Sequence, residues 1–319
     1  GFAHLQLGAY DDAQAYLQRA AQAYATLGDG TGRVRTSQNL GLLHAARGRL
    51  EEARTILQRS LADAQSQQMP EEAAVSYRNL AELDLVQGDV NSVLQHAQQA
   101  ETLFAERGGR RGVVDVGLLR AQAWLAAGAY GDVSRVLDGL RADLASASLE
   151  QQAIAQLLEH ELQTQRGDAG KAQAALREAR LLSARSGVRH LQLQAELRGA
   201  SAGELQRLDA ATAAHGHAQL RLQWIEAALR QALVARDFPA ASKLYREATA
   251  LLRDGDYAHS WAVHRMGARA LAGSGQSQAA ADAKAAADAA LGRMRKRIPQ
   301  QARAGFDRMT IDASAVVRR

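Results

Sequence analysis

Five glycines, set at an almost constant interval, decide what this chain can fold into. Gly8-Ala-Tyr-Asp-Asp-Ala13 recurs as Gly48-Arg-Leu-Glu-Glu-Ala53, Gly88-Asp-Val-Asn-Ser-Val93, Gly128-Ala-Tyr-Gly-Asp-Val133 and Gly167-Asp-Ala-Gly-Lys-Ala172, at spacings of 40, 40, 40 and 39 residues. A fixed period of this length marks a stack of like supersecondary units, each burying one face only against its neighbours. A length of 319 residues therefore says little about the number of compact domains.

The repeated unit reads as two helices. The glycine closes the first helix, where a left-handed residue is needed. The small or acidic residues after it open the second, where carboxylates favour the positive end of the helix dipole. The Ala or Val five residues on, and Leu17, Leu57, Ala97, Leu137 and Leu176 one turn later, trace an apolar stripe of helical period. Leu50, Ala53, Leu57, Ser60 and Leu61 show that stripe within one copy. Composition agrees: 3 prolines and 4% aromatic residues leave few helix breakers and few sheet formers. Polar turns at Gly28–Gly32, Gln67–Pro70, Gly108–Gly112 and Ser183–Gly187 separate the copies.

The pattern divides the chain into three. Residues 1–187 hold the regular copies. Residues 188–290 hold degenerate ones: a unit from Val188 to Gly216 with a short second helix from about Gly203 to Ala214, one turning at Arg236-Asp-Phe-Pro-Ala-Ala241, and one turning at Gly275-Gln-Ser-Gln-Ala-Ala280. Arg236 stands where a glycine is expected, and Lys284 stands where other copies are apolar, as suits a terminal capping unit. Residues 291–319 form a basic cap with eight Lys/Arg and two Asp/Glu, a net of +6 in a chain of +5, so the array itself is close to neutral. A last short helix is expected from Pro299 to about Met309, with a frayed or strand-like end to Arg319.

The Leu-Gly/Ala…Gly-x-x-x-x-Ala…Ala arrangement, as in Leu40-Gly41…Gly48…Ala53, resembles the tetratricopeptide repeat. Its longer spacing is similar to the variants in kinesin light chains and in bacterial sensor and regulator proteins. The resemblance implies an all-α fold, a right-handed α-solenoid of about seven or eight helix hairpins, whose first helices line a concave binding surface. It implies a protein or extended-peptide partner, no cofactor, and no catalytic role within these residues. It also implies a scaffold or sensor module of a larger, bacterial signalling or regulatory protein. The alternative is an autoregulatory segment folded against an attached kinase or nucleotide cyclase. The chain opens at Gly1 inside a helical pattern, so an enzymatic or DNA-binding domain is expected upstream.

Carried across residue by residue, the resemblance places Arg35, Gln38, Asn39 and Leu42 on the concave face of copy two, and Val75, Arg78, Asn79 and Glu82 on that of copy three. Asp115, Leu118 and Gln122 follow in copy four, and Leu157 and Glu161 in copy five. Asn39 and Asn79 hold one repeat position. Asparagine is mildly unfavourable inside a helix, and its amide both donates and accepts, which suits an extended peptide backbone. The expected peptide-contact set is Arg35, Gln38, Asn39, Arg78, Asn79, Glu82 and Gln122.

Other chemistries lack their motifs. Gly28–Gly32 has no Gly-Lys-Ser/Thr ending for phosphate. His215/His217 and His259/His264 have no third ligand at metal spacing, so no metal is expected. Arg107-Gly-Gly-Arg-Arg-Gly112 has no aromatic interleaving, so nucleic acid is not expected as a partner. Arg293–Arg297 reads as a solvated helix end, and Trp124, Trp224 and Trp261 as packing residues. No run approaches the ~20 apolar residues of a membrane span. The absence of cysteine fits a reducing, cytoplasmic compartment.

Overall fold

The computed structural model describes residues 1–253 and 255–316, with side chains described through Ile311. Its helices follow one another as hairpins: α1 Phe2–Leu7 with α2 Tyr10–Leu27, α3 Gly30–Ala46 with α4 Leu50–Ser66, α5 Pro70–Val86 with α6 Val90–Glu106, and α7 Arg110–Ala126 with α8 Tyr130–Leu144. Then come α9 Leu149–Gln165 with α10 Ala169–Ser186, α11 Arg189–Leu197 with α12 Ala202–His215, α13 Ala218–Val234 with α14 Phe238–Leu251, and α15 Ser260–Gly273 with α16 Ser277–Lys296. A 3₁₀ turn, Gln300–Ala302, leads into α17, Arg303–Val316. The fold is an all-α solenoid of eight hairpins, and no strand occurs among the described residues.

The sequence logic holds at each turn. Gly48 has φ +81°; its N–H bonds to Ala45 O at 3.0 Å, and the next N–H, from Arg49, reaches back to His44 O at 2.9 Å. These bonds close the first helix on its own last carbonyls. Ala13, Ala53, Val93 and Val133 are fully buried, as are Leu57 and Ala97 one turn on. The glycine-bearing linkers turn out to be packing seats. A Cβ on Gly32 would lie 2.3 Å from the Tyr24 ring, and one on Gly112 would lie 2.5 Å from Phe104, in the same arrangement two repeats apart.

Each first helix packs on the next, α3 on α5, α5 on α7, α7 on α9, and so on to α15. The first helices therefore form the inner layer and the second helices the outer one. The path then closes on itself. α11 touches α1. From there the second half rides on the hairpin turns of the first half, meeting residues about 170 to 210 positions earlier, four to five repeat periods back. Gly8 seats His215, Gly48 seats Tyr257 and Ala218, Gly88 seats Ala258 and Met294, and Gly128 meets Gly305. Ala258 N–H bonds to Val86 O at 2.9 Å, and Asn91 N–H to Arg297 O at 3.0 Å. One core cluster runs through both turns, joining Leu50, Leu57 and Leu80 to Leu193, Leu222, Tyr257 and Val263. Stability is thus not confined to nearest-neighbour stacking.

In the second half the expected turn at Arg236 is found, and the basic end and the terminal helix differ in detail from expectation. Arg236 keeps the glycine turn, at φ +57°. The basic end is solvated, with Arg293, Arg295 and Lys296 exposed, but it also carries ties: Arg293 makes two bonds to Asp256 (2.5 and 2.9 Å), Arg295 two to Asp307 (2.8 and 2.9 Å), and Arg297 donates to Gln87 O at 3.3 Å. The terminal helix runs to Val316, longer than expected, and Phe306 within it is fully buried beside Ala127, Trp261 and Met294. The frayed or strand-like end is therefore corrected through Val316, and residues 317–319 lie outside the described part.

Candidate functional site

The inner layer is where side chains face the axis of the superhelix without being claimed by the hairpin cores. Arg35 stands exposed on α3, with its Nε 2.6 Å from Glu72 Oε1 on α5. Gln38 is buried, 4% exposed, and its amide donates to Glu72 O at 2.9 Å and to Ser76 Oγ at 3.0 Å. That amide is used in stacking one repeat on the next. Asn39 is half-buried, and Asn79 is only 1% exposed. The two asparagines share a repeat position but not an environment. Asn79 Oδ1 accepts from Arg78 Nη2 at 2.7 Å, and its Nδ2 is buried with no partner. Glu82 is exposed and Gln122 half-buried.

Three carboxylates from consecutive first helices converge: Glu82 of α5, Asp115 of α7 and Glu150 of α9. Burial first, then the charges of Asp115 and Glu150, push the Glu82 carboxyl above the ordinary carboxylate range, against the pull of Arg78. Glu150 is raised in the same way, by burial and then Asp115, with Arg111 and Arg78 opposing. Glu82 thus touches water while protein encloses it, as befits the inside of a narrow superhelix. Asp115 also accepts from Gln151 Nε2 at 2.6 Å. Of the expected set, the structure brings Arg78 and Glu82 together and joins them to Asp115. Glu150 was missed because it sits at the start of α9, where acidic residues are ordinary caps. Glu82, Asp115 and Glu150 also fall out of step with the 40-residue period that guides the eye.

A second polar network lines the other half of the wall. Glu226 of α13 is held by Arg230 at 2.9 Å and by His259 Nδ1 at 3.2 Å, and Arg198 meets Glu161 at 3.6 Å. Burial alone would raise the Glu226 carboxyl, but His259, Arg230 and Arg198 outweigh it and bring it down to about 2. The Glu226 charge in turn raises His259. The tryptophans pack: Trp224 Nε1 donates to Leu205 O at 2.8 Å, beneath the Arg221 guanidinium.

Among the described residues, no group of three or more His, Asp or Glu side chains is placed to hold a metal ion. A cavity lined by Gln87, Tyr257, Trp261 and Met294 has about 10 Å³, room for one water. No described helix is long and apolar enough to cross a membrane. None of the curated proteins matches the chain. The tetratricopeptide repeat model matches residues 1–66 and again 34–106, the first hairpins of the series. Helix hairpins continue beyond them through α16, and the match and this architecture together support an array of tetratricopeptide repeats.

Proposed function

We propose that the inner wall of this array binds an extended segment of a partner protein, as the scaffold or sensor part of a larger bacterial regulatory protein working in the cytoplasm. Tetratricopeptide repeats are in general non-catalytic protein-interaction scaffolds, which supports the broad class. The observation that carries the reading is the set of polar side chains that inter-repeat packing leaves over on successive first helices: Asn39, Arg78, Glu82 and Gln122, with Asp115 and Glu150 beside them. Glu82 and Glu150 are held partly against ionisation by burial and by the charge of Asp115 beside them. A cationic group on the partner relieves that repulsion and recovers charge-assisted hydrogen bonds. Gln38 and Asn79 act from behind, fixing α3 on α5 and Arg78 on its helix.

The test is selection of a displayed random-peptide library on the whole chain, followed by calorimetry of recovered peptides. The Asn39→Ala/Arg78→Ala/Glu82→Ala variant is expected to bind at least tenfold more weakly, at ~0.5–1.5 kcal/mol per lost hydrogen bond. Its helicity is expected to hold, since Ala is the best helix former. Equal affinity in a folded variant places the site elsewhere.

A further inference from the structure

The seam between the two superhelical turns begins at an unusual group of side chains. His215, at the end of α12, is 7% exposed and fills the space left by Gly8: a Cβ there would lie 2.3 Å from its Nδ1. Its ring lies 5.8 Å from that of Tyr10, the buried first residue of α2. His217 stacks between His215 at 6.3 Å and His190 of α11 at 5.9 Å. Three imidazoles thus meet where α11, α12 and α13 come back over α1 and α2.

Each is built to be neutral. His217 caps α13 with Nδ1, accepting from Leu220 N–H at 3.4 Å, and an imidazolium has no lone pair to accept with. His215 Nε2 is buried and has no partner. The surroundings supply no counter-charge. From α2 the trio meets the phenol of Tyr10, and from α11 the cation of Arg189. His4 of α1 stacks on Tyr16 instead, at 4.9 Å, and Asp209 of α12 is taken by Arg221 at 2.6 Å.

We propose that the seam is a pH-sensitive closure, held shut while His190, His215 and His217 are neutral and opened when they take up protons. Burial foremost, with the neighbouring imidazoles, brings His190 down to about 4 and His217 to about 3, and burial with Arg189 lowers His215. In an open seam each ring returns to the ordinary value near 6.5. A base with a depressed folded value gives its full stability above about 6.5, and that stability is lost as pH falls toward the folded value. His190 and His217 each favour opening by about tenfold per pH unit in that window, together by about a hundredfold, and His215 acts in the same direction, so closure switches between about pH 6.5 and 5. Most carboxylates stay ionised across this range. The hairpins of residues 1–187 close on their own glycine turns, so their helicity outlasts the seam. Opening is confined to the Gly8 end of the seam, where it parts α1 and α2 from α11 and α12, and leaves the apolar core shared by the two turns in place.

The chain has no cysteine, so two spin labels can be placed freely. Labels at Arg19→Cys and Arg207→Cys, both exposed positions on α2 and α12, report the seam by their separation. A single short distance is expected at pH 7.5, and a longer one at pH 5 with unchanged helical circular dichroism and a transition taking up at least about two protons. His190→Gln/His215→Gln/His217→Asn, in which Asn keeps a cap acceptor, is expected to stay closed at pH 5. Should that variant fail to fold, His217→Asn alone is expected to lower the uptake by about one proton. A distance unchanged down to pH 5, helicity lost in step with the distance, or the same response in the variants would each overturn the proposal.

Discussion

The turn between α13 and α14 shows how much of the repeat is carried by backbone geometry rather than by glycine itself. Arg236 N–H bonds to Leu233 O at 3.2 Å and Asp237 N–H to Ala232 O at 2.8 Å, the same pair of bonds that Gly48 and Arg49 make. Asp237 then caps α14 through Ala240 N–H at 3.0 Å. These bonds and the packed helices on either side hold Arg236 at φ +57°, where a side chain costs roughly 1–2 kcal/mol. Arg236→Gly removes that strain and pays back part of it in unfolded-chain entropy. It is expected to raise the urea midpoint, by about 0.5–1 kcal/mol of stability. A lower midpoint would mean that the exposed Arg236 side chain makes a contact worth more than the strain. Gly128 and Gly305 are the opposite case. A Cβ on either would lie 2.7 Å from the other's carbonyl oxygen, so here the missing side chain itself admits the second turn.

Helices α13 and α15 are joined on the inner side by Glu226, Arg230 and His259, and this junction carries its own pH dependence. Glu226 is brought down to about 2, so its contribution is complete above its unfolded value near 4.5 and is lost as pH falls toward 2. His259 is raised, so its contribution is complete below about 6.5 and is lost as pH rises through its folded value. The junction is therefore strongest between about pH 5 and 6.5. Subtracting the stability of Glu226→Gln from that of the wild type, pH by pH, isolates this effect from the seam histidines. The difference is expected to peak in that window and shrink on both sides; a difference flat from pH 4 to 8 would show that Glu226 acts only by packing.

For the whole molecule, the second turn makes the array something other than a one-dimensional stack. In such a stack, removing the last unit disturbs only its neighbour. Here Arg297 reaches Gln87 and Asn91, Met294 covers Gly88, and Phe306 lies against the helix that ends at Ala126. Removing residues 297–319 is expected to speed amide exchange at the turns near Gly88 and Gly128, about 200 residues away in sequence, while α9 and α10 keep their protection. Faster exchange confined to α15 and α16 would restore the one-dimensional picture.

What the sequence determined by itself is the unit. The 40-residue interval, the glycine turns and the stripe of Ala13, Ala53, Val93 and Val133 are local or nearest-neighbour facts, and hairpin stacking follows from them. The inner wall was legible in outline, since Arg78, Glu82 and Asp115 lie on faces that the apolar stripe leaves free. Which of its residues are spent on packing was not. Asn39 and Asn79 look identical in the repeat, yet one is half-buried and the other almost wholly so. Only the tertiary structure decided the number of hairpins per superhelical turn. That number sums small rotations at each interface, set by side-chain shapes that no period records. It brings His215 to Gly8 and Gly305 to Gly128. Contacts between residues so far apart in the chain leave no spacing to read, because the physics that pairs them is the curvature of everything in between.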